Sequence, residues 1–351
     1  MILSFILSIF LSTTISFLVT PLVRNYLTKH GLVEDPVHKQ QKTHNATAIF
    51  SVPRGGGVSI FISILVTSLI FLSLDKHLFG ILLAAFVTLF IGLIDDLKDI
   101  SPIIRLFTNL LAALIVVASG IGIAYISNPF GGIIDLSFLK INFSFFGDHS
   151  IWVIPDILAI IWIIWCMNIV GWSSGVDGQL PGFVTISAIF IGILGFRFST
   201  DTTQWPVILL SATVAGAYLG FLPFNFFPQT IMTGYSGKSL AGFFLAVLSL
   251  LSGAKLATLV LLLSIPVIDA IFVLFKRIKN GRFPLAGGPD HLHHQLLEIG
   301  WSRPKIALFY WSISLLLGII SLFLNSQQKF YFFIGIVFLF IGFVLKVSRR
   351  I

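Results

Sequence analysis

Apolar residues in this chain come in long runs broken by short polar gaps. About eleven runs stand out, near residues 1–23, 55–74, 78–94, 103–125, 151–168, 179–197, 206–223, 238–252, 255–275, 305–324 and 329–347; most approach the roughly 17 to 25 residues a helix needs to cross hydrocarbon. The pattern predicts an all-α, polytopic membrane protein of about 11 transmembrane helices. The first run has neither a basic start nor a small-residue cleavage site, so it reads as helix one and not as a signal peptide. No stretch rich in Pro, Ser or charge divides the chain, which predicts a single membrane domain over residues 1–351. The longest outer gap, about 126–150, carries the turn signals Asn128-Pro129 and Gly131-Gly132, then alternation from Asp135 to Phe145, and predicts a small hairpin. No internal repeat of the kind that marks many transporters is found.

Composition removes the soluble alternative: 56% of residues are hydrophobic, 36 are Phe and only 10% are charged, with a mean hydropathy of +1.01. Charge then orients the chain. If the first run enters from outside, the gaps at 24–54, 95–105, 169–178, 224–238 and 276–304 and the C-terminal tail face the cytoplasm. Of the 22 Lys and Arg, only Lys76, Lys140, Arg197, Lys255 and Lys329 then fall outside, the asymmetry of the positive-inside rule. The net charge of +8 fits an inner leaflet and an anionic substrate, and no basic aromatic platform for nucleic acid is present. A single cysteine, Cys166, excludes an intrachain disulfide and a cysteine metal cluster.

The inner gaps hold eight of the fourteen acidic residues, and carboxylates at a hydrocarbon boundary cost free energy unless a cation lies against them. Asp95, Asp96 and Asp99 form the densest set; on a continuing helix Asp95 and Asp99 share a face, and their mutual repulsion favours a bound divalent cation or a raised pKa. A solvated helix end neutralised by Lys98 and Arg105 is the plainer alternative. Upstream, Lys39, Lys42, His44 and Arg54 supply donors suited to phosphate oxygens, beside Gly55-Gly56-Gly57; an ordinary basic loop would read the same way. The stretch Asn168 to Gln179 offers an amide, two serines and Asp177 between glycines. Gly237-Lys238-Ser239 has the tail of a Walker loop, but Met232 stands where its first glycine belongs and no strand precedes it. His291, His293 and His294 follow the basic stretch Lys276 to Arg282; without further ligands at zinc spacing, they suit hydrogen bonds to a diphosphate beside Arg282 better than a metal.

Taken in order, an Asp-Pro…Lys-x-His…Pro-Arg-x-Gly-Gly loop, an Asp-Asp-x-x-Asp helix end, a loop ending in Asp-Gly, an Asn-Phe-x-Pro segment and a final His-Leu-His-His resemble the polyprenyl-phosphate N-acetylhexosamine-1-phosphate transferases. The resemblance spans residues about 20 to 300 and fits the branch with eleven helices, that of undecaprenyl-phosphate GlcNAc-1-phosphate transferases. It implies transfer of a sugar 1-phosphate from a UDP-sugar to undecaprenyl phosphate at the cytoplasmic face, with release of UMP, early in cell-envelope glycan synthesis. The cofactor implied is Mg²⁺ or Mn²⁺. The partners implied are a UDP-sugar, undecaprenyl or another polyprenyl phosphate, and membrane lipid; a homodimer is allowed.

By position, the resemblance assigns catalysis to Asp95, Asp96, Asp99 and Asp177 and metal binding to Asp95, Asp96 and Asp177. It assigns substrate contacts to Lys42, His44, Arg54, Asn168, Lys238, Arg282, His291, His293 and His294. The chain departs from the family's pattern at three places: Gly171 replaces an Asn, Ser174 replaces an Asp, and Tyr235 replaces the aspartate that ligates magnesium, with Lys238 following. Two negative charges are lost and one positive charge is gained. A catalytically inactive homologue that binds polyprenyl phosphate or a nucleotide sugar is the alternative expectation.

Overall fold

The computed structural model describes residues 1–34, 51–144, 148–251, 256–284 and 288–348. Helices dominate. α1 (Ile2–Lys29) is followed by a two-residue pair, β1 (Val33–Glu34) with β2 (Val52–Pro53), and then by α2 (Gly57–Phe71), α3 (Lys76–Lys98) and α4 (Pro102–Ala118). Two antiparallel hairpins come next, β3 (Tyr125–Ser127) with β4 (Ile133–Asp135) and β5 (Lys140–Ser144) with β6 (Asp148–Trp152). The remaining helices are α5 (Val153–Trp172), α6 (Gln179–Phe196), α7 (Trp205–Asn225), α8 (Gly234–Leu250), α9 (Leu256–Leu262), α10 (Ser264–Lys279), α11 (Leu292–Glu298), α12 (Arg303–Phe323) and α13 (Ser326–Ser348).

The protein is a multi-pass membrane protein, and the span count changes from the sequence expectation. Among the described residues seven helices are long and apolar enough to cross a membrane, or up to eight if the α9–α10 pair is one span. α2, α4 and α8 have only 15, 17 and 17 residues, and at about 1.5 Å per residue they fall short of a hydrocarbon core about 30 Å thick. The run predicted over 255–275 is bent by 77° between α9 and α10. Pro266 explains the bend: it has no N–H to give, and its ring collides with the carbonyl four residues back, that of Leu262, the last residue of α9. The single hairpin expected over 126–150 is two, because Lys140 to Ser144 finds its own partner in Asp148 to Trp152.

α8 lies at the centre, with every residue from Ser239 to Leu250 buried, as befits a helix apolar all round. It packs against α2, α3, α5 and α6. α1 instead lies largely on the outside and docks on α7 through a narrow seam. Ser12 and Ser16 donate to the carbonyls of Thr213 and Ala217 at 2.6 and 2.7 Å. A Cβ on Gly216 or Gly220 would stand 2.5 Å from the Ile9 carbonyl oxygen or 2.2 Å from that of Thr13. This is the close backbone approach that small residues permit between membrane helices. Alternating helix directions bring the C-terminal ends of α1, α3, α5, α7 and α10 and the N-terminal ends of α2, α4, α6, α8 and α12 to one end of the bundle, the polar end.

Candidate phosphate-handling site at the polar end of the bundle

Asp96, near the end of α3, is the hinge of this region. It accepts from the Tyr235 N–H at 2.5 Å and from the Ser236 N–H and Oγ at 3.2 and 2.6 Å, so it caps the start of α8. A carboxylate there also meets the positive end of the helix dipole. Two glycines make the approach possible. Gly234 has φ +68 and a Cβ on it would lie 2.3 Å from Asp96 Oδ2, while a Cβ on Gly92 would lie 2.5 Å from the Ser236 Cα. Arg54 sits among three acids, with Nε 3.1 Å from Glu34 and 3.5 Å from Asp96, and Nη1 2.9 Å from Asp99. Burial opposes its charge, but Asp96, Glu34 and Asp99 outweigh that and raise its pKa above the ordinary value. Asp95 is fully buried; its Oδ1 accepts from Arg105 Nε at 2.7 Å and the Ile100 N–H at 3.1 Å.

Beyond the first turn of α8 lies a small polar cavity of ≈ 90 Å³, walled by Glu34, Arg54, the loop Ser174 to Asp177, Asn225, Gln229, Gly234 and Lys238 among others. Asn225, at the end of α7, holds the loops in place: its Oδ1 accepts from the Gly178 N–H at 3.2 Å and its Nδ2 donates to Ile231 O at 3.0 Å. Asp177 accepts from the Gln229 N–H and from Arg303 Nη1, each at 3.4 Å. Burial raises its carboxyl above the usual range, against the pull of Arg303.

The histidines form the adjoining wall. His291 Nδ1 lies 2.8 Å from Asp269 Oδ2, and the other oxygen of Asp269 accepts from the Leu292 N–H at 2.8 Å, so one carboxylate both orients the imidazole and ties down the start of α11. His293 stacks on His291 with ring centroids 5.9 Å apart and lies 4.3 Å from the ring of His294. Its ring covers Gly175, where a Cβ would stand 1.9 Å from Nε2. Burial, then the neighbouring imidazoles and Lys238, hold His293 well below its ordinary pKa; His294 is held down to about 4, by burial first and then His291. Both rings are neutral at pH 7. Each still has one N–H to donate.

Of the residues singled out from sequence, Arg54, Asp177 and Lys238 line the cavity, and His291, His293 and His294 lie beside it. Asp95, Asp96 and Asp99 surround the start of α8 and Arg54. Asn168 is not brought in: its amide donates back to Ile164 O at 2.7 Å within α5. Arg282 is exposed after α10, where its backbone N–H bonds Arg277 O. Lys42 and His44 lie outside the described residues. Among the described residues no three His, Cys, Asp or Glu side chains are grouped to hold a metal ion, so Asp95, Asp96 and Asp177 are not gathered as a ligand set. The reason is physical: the first two carboxylates already serve Arg105, Arg54 and the α8 N–H groups, and Asp177 faces Arg303. The described donors therefore do not fit a resident magnesium ion, which needs several oxygen ligands in near-octahedral order.

Sequence reading passed over Glu34, Asn225, Gln229, Asp269 and Arg303 as site residues. Two carried a signal: Asn225 opens the Asn-Phe-x-Pro segment, and Asp269 is an acid within an apolar run, which demands a partner. That partner is His291.

A predominantly helical membrane bundle with arginines, a lysine and histidines set at and beside a polar cavity defines an integral membrane protein with a charged site at one end. The sequence profile described as glycosyl transferase family 4 matches residues 78–253, half of the chain, and the protein belongs to that family. It is 27% identical over 333 residues (92% of this chain, 86% of the relative) to a Bacillus subtilis protein named probable undecaprenyl-phosphate N-acetylglucosaminyl 1-phosphate transferase. It is 26% identical over 337 residues (88% and 78%) to decaprenyl-phosphate N-acetylglucosaminephosphotransferase of Mycobacterium tuberculosis. Identity to the phospho-N-acetylmuramoyl-pentapeptide-transferase of Bacillus licheniformis is 26% over 331 residues (91% and 97%).

Proposed function

We propose that this protein transfers an N-acetylhexosamine 1-phosphate from a UDP-sugar to undecaprenyl or another polyprenyl phosphate at the cytoplasmic face, as an early step of cell-envelope glycan synthesis. The N-terminus lies outside and the C-terminus in the cytoplasm in this reading. The observation that carries it is the gathering of Arg54, Asp177, Lys238 and the His291 to His294 motif around one polar cavity in a member of this family.

In the reaction a phosphate oxygen of the lipid attacks the sugar-linked phosphorus of the UDP-sugar. The bond from that phosphorus to the bridging oxygen breaks, and UMP leaves with the electron pair. A phosphate monoester is already mostly ionised at neutral pH, so the nucleophile needs little help from a base. Alignment and neutralisation of charge dominate such transfers. Lys238 and Arg54 line the cavity that would receive the diphosphate, and His293 and His294 offer N–H donors at its side. Asp96 acts as a positioning residue, because it fixes Arg54 and the start of α8 together. Asp177 faces the cavity with a carboxyl that can orient Arg303 or accept from the ligand.

The test is UMP release by the full chain purified in detergent, with UDP-N-acetylhexosamines and undecaprenyl phosphate, assayed with magnesium, with manganese and with chelator. Release well above an Asp177→Asn control is expected. No release under any condition sinks the transfer reading, and saturable nucleotide binding without turnover would mark an inactive homologue instead.

A further inference from the structure

At the end of the bundle opposite the cavity, the chain between α4 and α5 presents large apolar side chains on its surface. Phe130 is 86% exposed, Phe138 74% and Ile133 68%. All three lie in or just after the β3–β4 hairpin, where Ile133 pairs with Ser127 and Asn128 shapes the turn by accepting from the Phe130 N–H at 2.9 Å. Apolar area left in water costs free energy in proportion to its extent. Three such side chains within residues 130–138 therefore mark an interaction surface.

Contacts at both ends of this stretch fix its height. The Tyr331 hydroxyl donates to Pro129 O at 3.1 Å and ties the turn to α13. α13 begins at Ser326, so at about 1.5 Å per residue Tyr331 stands only about 7.5 Å along its axis. Only 17% of that span is buried, and Phe330, Tyr331 and Phe332 are all exposed around the contact. Aromatic side chains clustered at the start of a lipid-facing helix form the belt that marks a membrane–water boundary. Trp152, directly before α5, has Lys140 Nζ 4.9 Å from the centre of its ring, a second pairing of an amphipathic ring with a long cationic side chain at a helix start. The base of the hairpin is held as well, since Leu136 is buried and its N–H bonds Ala124 O at 2.9 Å. The hairpin is thus pinned at boundary height, and Phe130 continues the lipid-facing surface of α13. We propose that the β3–β4 hairpin lies on the bilayer at this end of the bundle, with Phe130, Ile133 and Phe138 inserted among the lipid acyl chains. The occupant of this surface is lipid, and the proposal is independent of the transfer reading.

Spin labelling of the full chain in nanodiscs of phosphatidylglycerol and phosphatidylethanolamine tests this. Cys166 is the only cysteine and is buried, so Phe130→Cys and Phe138→Cys can each be labelled in a Cys166→Ala background. Both positions are exposed, and a cysteine there leaves the packing of the bundle unchanged. Power saturation with oxygen and with a water-soluble nickel chelate reads the depth of each label. Both labels are expected about 5–10 Å below the lipid phosphates, the depth of apolar groups that lie in an interface. Three results overturn the proposal. One is either label in water above the phosphates. Another is a label shielded from oxygen and nickel alike, which marks a protein partner, and the third is dipolar broadening between labels, which marks a second copy. None of these results bears on UMP release, so this proposal and the transfer reading stand or fall separately.

Discussion

At the end of α3 three carboxylates meet two arginines, three backbone N–H groups and the Ser236 hydroxyl, mostly within 3.2 Å. At the cavity Asp177 has its contacts at 3.4 Å, and Asp177 and Glu34 share the wall with Arg54 and Lys238. The first region spends its charge on joining α2, α3, α4 and α8. The second sets acids and cations together around an open space. Density of acids in a sequence thus located the framework of the site, and the open chemistry lies a helical turn further along α8.

This contrast can be broken by substitution. Asp96→Ala should cost about 3–5 kcal/mol, because it uncaps α8 and strips a partner from buried Arg54; a thermal melt in detergent would read it, and a loss below about 1 kcal/mol would deny Asp96 its framework role. Next in size is a pH effect at the histidine wall. An unfolded imidazole takes its proton near 6.5, whereas folded His294 resists until about 4. Between those values the unfolded state holds more protons, so stability is full above the window and falls as pH drops through it. The fall in melting temperature from pH 7 to 4 should be shallower in His294→Gln, and an unchanged slope would refute the assignment. Asp177→Ala should cost only about 1 kcal/mol, given its two long hydrogen bonds, while changing nucleotide affinity; a melt as damaged as that of Asp96→Ala would erase the distinction between the regions. The smallest change is Tyr235→Phe, at about 0.5 kcal/mol, since one 3.3 Å hydrogen bond is lost and the ring stays under Arg105.

The helices were legible because hydrocarbon length writes itself into the sequence, and each predicted run is occupied by helix. The bend before Pro266 was not read, although proline announces it. The expectation of about eleven full spans is not met at α2, α4 and α8, which have 15, 17 and 17 residues. The site was legible as residue types gathered in inner gaps, and the histidines and Asp177 do come together. Asp96 meeting Tyr235 and Ser236 was not legible, because nothing local links positions so far apart in the chain. Asp269 with His291 was hidden for the same reason. Arg303 gave no sign in its own surroundings.

The seam between α1 and α7 has a further consequence. Only 22% of the α1 span is buried, so most of that helix touches whatever surrounds the protein. Its grip comes from serine hydroxyls on carbonyls and from glycines that let two backbones nearly touch. Neither contact depends on squeezing out water, since lipid tails are as apolar as the side chains they would replace. α1 is therefore held as a key is held in a lock, by outline, and the same fit serves equally in a thick bilayer, a thin one or a detergent micelle.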